Sequence, residues 1–218
     1  MSQKFSGAIF DLDGTLLDSM GVWSEVDRKF LARRGLSVPK SYVKELAAMS
    51  FYNAAIYTIN LFSLSEEPQA IMDEWFNLAL EEYSFKVKVK PNGIEYLKSL
   101  KSQGVKLGVA TGLTVGLMEP VLKNNGIYNM FDAICSADNV GCGKGTPEIF
   151  LRTAEKIGAE PADCIVFEDI PQGAKSAKEA GMTVYGVYDK HSEAFQDELK
   201  AAADGYITDF SQAPMFLR

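Results

Sequence analysis

Histidine is almost absent: His191 is the single one in 218 residues, and it lies far along the chain from every motif described below. That scarcity argues against imidazole acid–base chemistry and against a multi-histidine metal site. Cysteine is scarce as well. Cys135, Cys142 and Cys164 form an odd, scattered set with no C-x-x-C pair. Such a set offers no disulfide framework and no zinc site, and it fits a reducing, cytoplasmic setting. No apolar run reaches the ~18 residues of a membrane span. The first residues, Met1 to Ser6, lead straight into an apolar run with no signal-peptide core. Positive charge is in deficit: 22 Lys and Arg face 29 Asp and Glu, for a net charge of −7. An acidic surface repels phosphate backbones, so neither nucleic acid nor membrane is an expected partner. There is no internal repeat and no low-complexity tract.

What is present is a chain with 47% hydrophobic residues, enough for one substantial core with a small accessory domain. After an opening apolar run, residues 18–84 read as helix after helix. Ser19 to Arg34 has helical spacing and stops at Gly35. Residues 40–49 and 51–62 continue in that style. Ser65-Glu66-Glu67 reads as the cap of a further helix reaching about Tyr83, with acids in its first turn. Beyond Val87-Lys88-Val89-Lys90-Pro91 the pattern changes. Short apolar runs at 105–110, 133–135, 164–167, 184–187 and 206–207 alternate with helical stretches. That alternation predicts an α/β fold, a Rossmann-like parallel sheet with helices on both faces. The N-terminal run needs partners and must join this sheet. The expected organisation is therefore a core of residues 1–17 and 88–218 with an inserted all-helical domain at 18–87, hinged at two chain crossings.

In open α/β sheets, ligands bind outside the carboxyl ends of the strands. The first run ends in Ile9-Phe10-Asp11-Leu12-Asp13-Gly14-Thr15. Residues two apart on a strand share a side, so Asp11 and Asp13 crowd one spot and need a cation, a shared proton or both. The run ending at Ala110 is followed by Thr111-Gly112. The run ending at Phe167 is followed by Glu168-Asp169, and Lys144 precedes a helix in Gly143-Lys144-Gly145-Thr146-Pro147. Together these supply a nucleophile, oxygen ligands for a divalent cation, a cationic clamp and neutral donors, the set that phosphoryl transfer needs. Each has a plainer reading. Asp before Gly forms turns, Thr and Gly end many strands, a lysine is commonly solvated, and Glu168-Asp169 could cap the helix at Pro171. The lysine segment has a superficial likeness to a nucleotide P-loop. It fails because Asp138 stands where that motif needs Gly, and Gly145 where it needs Ser or Thr.

The order FDLDGT, Thr111, GKGTPEIF and FEDIPQGAKSAKEAGM resembles the haloacid dehalogenase-like hydrolases, in the branch with a helical cap after the first strand. Within it the chain looks most like the beta-phosphoglucomutase and phosphoglycolate phosphatase relatives. The resemblance implies a magnesium-dependent enzyme, monomeric as the default for a small capped hydrolase, acting on a small phosphorylated metabolite. It makes Asp11 the nucleophile that forms an aspartyl-phosphate and Asp13 the acid and base. Mg²⁺ is implied between Asp11, the carbonyl of Asp13 and Asp169, with Glu168 in or near its shell. Thr111, Gly112 and Lys144 are implied as phosphate holders. An Asp at position 13 also argues against dehalogenation.

Two reactions compete under that resemblance: hydrolysis by a phosphatase, and transfer by a sugar-phosphate mutase. The mutase pattern uses basic residues in the inserted segment, where this chain has Trp23 and Phe51. Residues 45–85 contain no Lys, Arg or His, but seven acids. Hydrolysis of a monophosphate with a neutral or partly apolar leaving group is the favoured reading. Met20, Trp23, Phe51 and Tyr52 are candidate lining residues, or else packing core of the helical insert. A catalytically silent binding protein is the remote alternative, set against the presence of Asp11, Asp13, Lys144 and Asp169. Cys142, two residues before Lys144, is a candidate for oxidation sensitivity.

Overall fold

The computed structural model describes residues 5–46, 49, 51–136 and 144–215. The chain forms two compact units, one of Met1–Met20 with Val87–Arg218 and one of Gly21–Lys86.

The first unit is built on a six-stranded parallel sheet. Its strands are β1 (Gly7–Phe10), β2 (Lys106–Thr111), β3 (Ala133–Ser136), β4 (Cys164–Glu168), β5 (Thr183–Val187) and β6 (Gly205–Ile207), in the spatial order β3-β2-β1-β4-β5-β6. The helices of this unit are α5 (Gly93–Ser102), α6 (Val115–Asn124), α7 (Glu148–Ile157), α8 (Pro171–Glu179) and α9 (Gln196–Ala202). β1 is central. Phe10 pairs with Val109 of β2 on one side and with Phe167 of β4 on the other. All four residues of β1 are buried, as a strand covered on both faces requires. The two faces differ in filling. Ile9, Ala110, Cys164 and Val166 pack against Ile149, Phe150 and Ala154 of α7 and Ala174 and Ala177 of α8. On the other face Phe10 stacks on Phe167 with ring centroids 4.9 Å apart, and Tyr96 and Phe210 close over the pair. Each of these large side chains contributes roughly 1.5–3 kcal/mol by leaving water. The stiff sheet they build fixes the strand ends.

Among its described residues the second unit holds helices and no strand: α1 (Val22–Ala32), α2 (Tyr42–Leu46), α3 (Phe51–Phe62) and α4 (Pro68–Phe85). Phe30 of α1 and Phe51 of α3 both meet the ring of the buried Trp75 of α4, each at 5.5 Å. One boundary departs from expectation. α4 begins at Pro68, its N-cap is Glu67, and no acid lies in its first turn. Proline favours the first helical position and holds the preceding residue extended; Glu67 has ψ 148°. Glu66 is thereby left outside the helix, where it pairs with Arg34. Among the described residues no helix is long and apolar enough to cross a membrane.

Candidate active site

Asp11 follows β1 directly, and its amide donates to the carbonyl of Phe167 at 3.1 Å, so the ladder with β4 runs on to the aspartate itself. The chain then turns sharply: Leu17 N–H returns to the Leu12 carbonyl at 2.8 Å, and Gly14 takes φ +75°. A Cβ on Gly14 would collide with the Asp169 carboxylate, so both backbone shape and space demand glycine here. Glu168 is the last residue of β4 and Asp169 the next; Gly173, in the first turn of α8, leaves room for the Glu168 side chain. The N-cap of α8 is Ile170, so the two acids do not serve as its cap.

Oxygens of Asp11, Glu168 and Asp169, all buried, lie within 4.8 Å of one another. Lys144 enters from the segment before α7. Its ammonium lies 2.7 Å from Asp11 Oδ1 and donates to Glu168 Oε1 and Oε2 at 3.1 and 3.2 Å. The Thr15 hydroxyl sits 3.0 Å from Asp11 Oδ2 and 3.1 Å from Asp169 Oδ1, and the Ser192 hydroxyl donates to Asp169 Oδ2 at 2.8 Å. Asp13 is half-buried and accepts from the Ser19 hydroxyl at 2.6 Å.

Three carboxylates around one ammonium leave the pocket short of positive charge. Burial, reinforced by the charges of Asp11 and Asp169 and opposed by Lys144, pushes Glu168 well above the usual carboxylate range. Burial and the charge of Asp11, again opposed by Lys144, raise Asp169 to about 6. Burial alone would lower the Lys144 pKa, but its attraction to Asp11 and Glu168 wins and holds it above the ordinary lysine value. Asp11 Oδ1, though close to Lys144, accepts no aligned hydrogen bond. A buried carboxylate oxygen without a directed donor, inside a hard-oxygen cluster with surplus negative charge, fits a divalent cation of the magnesium type.

The structure thus groups Asp11, Glu168 and Asp169 around one point, with Lys144 in contact with Asp11 and Glu168 and with Asp13 two residues from Asp11. Thr111 is the final residue of β2, two positions past the partner of Phe10. It is buried, and its Oγ1 accepts from Leu113 N–H at 3.1 Å, which leaves its proton to donate. Gly112 is exposed, and a Cβ there would touch nothing. Met20 packs over Gly14, its Cγ 3.2 Å from where a Cβ would stand. Trp23, Phe51 and Tyr52 belong to the helical unit, where Trp23 and Phe51 meet edge to face at 5.7 Å and all three are exposed. Cys142 and Gly143 lie outside the described residues. Thr15, Ser19 and Ser192 were given no role from sequence. Thr15 sits inside the quoted motif and was within reach; Ser192 belongs to no motif, although it follows the lone histidine.

The family model for haloacid dehalogenase-like hydrolases matches residues 8–187. The chain belongs to that family. Like other haloacid dehalogenase-like hydrolases, it is an enzyme. It is 29% identical over 187 residues to the fructose-1-phosphate phosphatase YqaB of Escherichia coli, covering 86% of this chain and 98% of the relative. It is 28% identical over 205 residues to the validoxylamine A 7'-phosphate phosphatase of Streptomyces hygroscopicus subsp. limoneus, covering 94% of both. Among solved structures, beta-phosphoglucomutase from Clostridium difficile superposes with TM-score 0.72 at 22% identity, covering 96% of this chain and 93% of that one. At that identity the likeness speaks for the haloacid dehalogenase-like fold alone.

Proposed function

We propose that the protein is a Mg²⁺-dependent phosphatase that hydrolyses a small phosphorylated metabolite through an aspartyl-phosphate on Asp11, with the helical insert at 18–87 serving as a cap. The observation that carries this reading is the buried Asp11 in contact with Lys144 and grouped with Glu168 and Asp169. The naming of its relatives as phosphatases supports the reaction type.

In the first step an Asp11 oxygen attacks phosphorus, and the bond from phosphorus to the leaving oxygen breaks. Asp13, held by Ser19 and half-exposed, gives that oxygen its proton. In the second step water attacks the same phosphorus, Asp13 takes the water's proton, and the Asp11 carboxylate departs with inorganic phosphate released. Lys144, the Thr111 hydroxyl and the backbone at Gly112 hold the phosphoryl oxygens. Asp11, the Asp13 carbonyl, Asp169 and Glu168 would hold Mg²⁺. When bound, the ion shields the nucleophile from the charge of the phosphate it approaches.

Hydrolysis is preferred over transfer to a second sugar phosphate because the cations of α1 and of the turn after it are already engaged within their own unit. Lys29 pairs with Glu82 at 2.6 Å, Arg33 with Glu74 at 2.9 Å, and Arg34 with Glu66 and Glu74 at 2.8 and 2.7 Å. Arg28 pairs with Glu25 at 2.6 Å. A second phosphate that met any of these four would have to break its pair. Trp23, Phe51 and Tyr52 are assigned as the surface that meets an uncharged leaving group. The test is a panel of phosphorylated metabolites with Mg²⁺, read as released inorganic phosphate. Wild type should turn over at least one of them, and Asp11→Asn should lose at least about a thousandfold in kcat. Isomerised sugar phosphate with little free phosphate would replace hydrolysis by transfer.

A further inference from the structure

The segment after β5, residues 188–192, reaches the site without carrying any motif. Ser192 is buried there, and its hydroxyl donates to Asp169 Oδ2 at 2.8 Å. The other oxygen, Oδ1, faces the Thr15 hydroxyl at 3.1 Å. Asp169 is therefore gripped by one hydroxyl on each oxygen and cannot turn its carboxylate plane without losing a contact. That is how an outer partner aims the remaining lone pairs of a ligand.

The segment itself is bolted down. Lys90 Nζ pairs with Asp189 Oδ2 at 2.9 Å, donates to the Tyr188 carbonyl at 2.7 Å, and donates to the carbonyl of Gly14. Two of its N–H groups thus go to backbone carbonyls, and the charge is paired with the Asp189 carboxylate. Lys90 and Asp189 are only 10% and 4% exposed. The second Asp189 oxygen accepts from His191 N–H at 2.8 Å, and the Asp189 carbonyl accepts from Ser192 N–H at 3.2 Å. The lysine's own backbone is tied to the loop after β1, its N–H donating to the Leu16 carbonyl at 2.9 Å. One buried ammonium thus joins the loop that bears Asp13 and Gly14 to the loop that bears Ser192. A buried ion pair adds little net stability on its own. Its value here is geometric.

We propose that Ser192 is a positioning residue for Asp169, seated by the Lys90–Asp189 clamp, and that this pair sets the affinity of the carboxylate cluster for a divalent cation. The inference rests on the reading of Asp11 and Asp169 as metal holders.

The test titrates Mg²⁺ alone into metal-free protein by calorimetry, with thermal melting of the metal-free proteins beside it. Ser192→Ala should weaken Mg²⁺ binding by about tenfold or more while the metal-free melting temperature stays near that of wild type. Ser192→Thr, which keeps the hydroxyl, should recover most of the loss. Lys90→Met, which keeps length but no donor, should weaken Mg²⁺ in the same direction. If Ser192→Ala and Lys90→Met both bind Mg²⁺ within about twofold of wild type, the positioning role is overturned, since outer-partner losses run to tenfold and beyond. A wild type that binds Mg²⁺ and releases phosphate alongside such variants overturns this inference alone. A wild type that binds no Mg²⁺ overturns the metal-dependent function first.

Discussion

In the α/β unit charge is gathered at one buried point; in the helical unit it is dispersed in pairs. Asp11, Glu168 and Asp169 share a single ammonium, that of Lys144, and are all but sealed from water. Lys29 of α1 and Arg33 and Arg34 just after it each meet an acid on or just before α4, with at least one partner partly open to solvent. The first arrangement is unfavourable for folding, because burying like charges raises carboxylate pKa values. The second is neutral to mildly favourable. A protein keeps a frustrated cluster where its chemistry is done and satisfies its charges elsewhere. The contrast also accounts for why motifs crowd the first unit and are missing from the second.

The comparison breaks most visibly if Lys144 is dispensable to folding. Lys144→Met removes the one cation from the cluster and leaves buried carboxylates facing each other. Metal-free stability at about pH 8 should fall by about 3–5 kcal/mol. The gap should narrow toward about pH 5, because the folded variant binds protons there that the unfolded chain does not. Urea denaturation in the presence of a chelator measures both values. A variant as stable as wild type at the higher pH would mean that the cluster is not frustrated.

How far each region was legible follows from where its information lies. Asp11, Asp13, Glu168 and Asp169 sit at the ends of apolar runs, so one strand rule places them at one rim. Lys144 was legible only as part of that set. Thr15 stood in plain view without a role, because its hydroxyl finds Asp169 only after the chain has folded across 154 positions. Ser192 and Lys90 were invisible, since each acts through a contact made by tertiary structure alone. The start of α4 was misplaced because two acids after a serine look like a cap, whereas Pro68 decides the boundary. In the helical unit the periodicity revealed helices but not their partners. Trp23 and Phe51 could have been core and lie exposed instead.

A buried acid among the described residues of the helical unit sharpens the contrast. Asp27 on α1 is buried, and burial raises it from the ordinary aspartate range to about 7. An unfolded aspartate titrates near 3.9. Between those values the folded state holds a proton that the unfolded state has lost, so stability falls as pH climbs from about 4 to about 7. The ceiling on that loss is on the order of 4 kcal/mol. Asp27→Asn should abolish the slope, matching wild type at about pH 4 and exceeding it at about pH 8 by a few kcal/mol at most. Both tryptophans, Trp23 and Trp75, lie in this unit, so their fluorescence during denaturation follows it selectively. Parallel pH profiles for the two proteins would show that Asp27 is already paired.

The smallest effects separate Arg28 of α1 from Arg34 in the turn that follows it. Arg28 is largely exposed and meets only Glu25, three residues away. Arg34 is mostly covered: it bonds Glu66 and Glu74, donates to the Phe30 carbonyl at 3.0 Å, and lies 3.7 Å over the Phe30 ring. Arg28→Ala should leave the denaturation midpoint close to that of wild type, since exposed helix pairs contribute little. Arg34→Ala should cost about 1–2 kcal/mol, since it strands two acids and uncovers a ring. Arg34→Lys should recover only part of this, because an ammonium cannot reproduce the planar fork. Denaturation midpoints decide the stability ranking, and kinetics decide what these cations are for. If these cations serve folding alone, Arg34→Ala lowers the midpoint and leaves KM for the best phosphorylated substrate near its wild-type value. A raised KM with an unchanged midpoint would instead make Arg34 a ligand for a second anionic group, and the helical unit would then share in phosphate recognition.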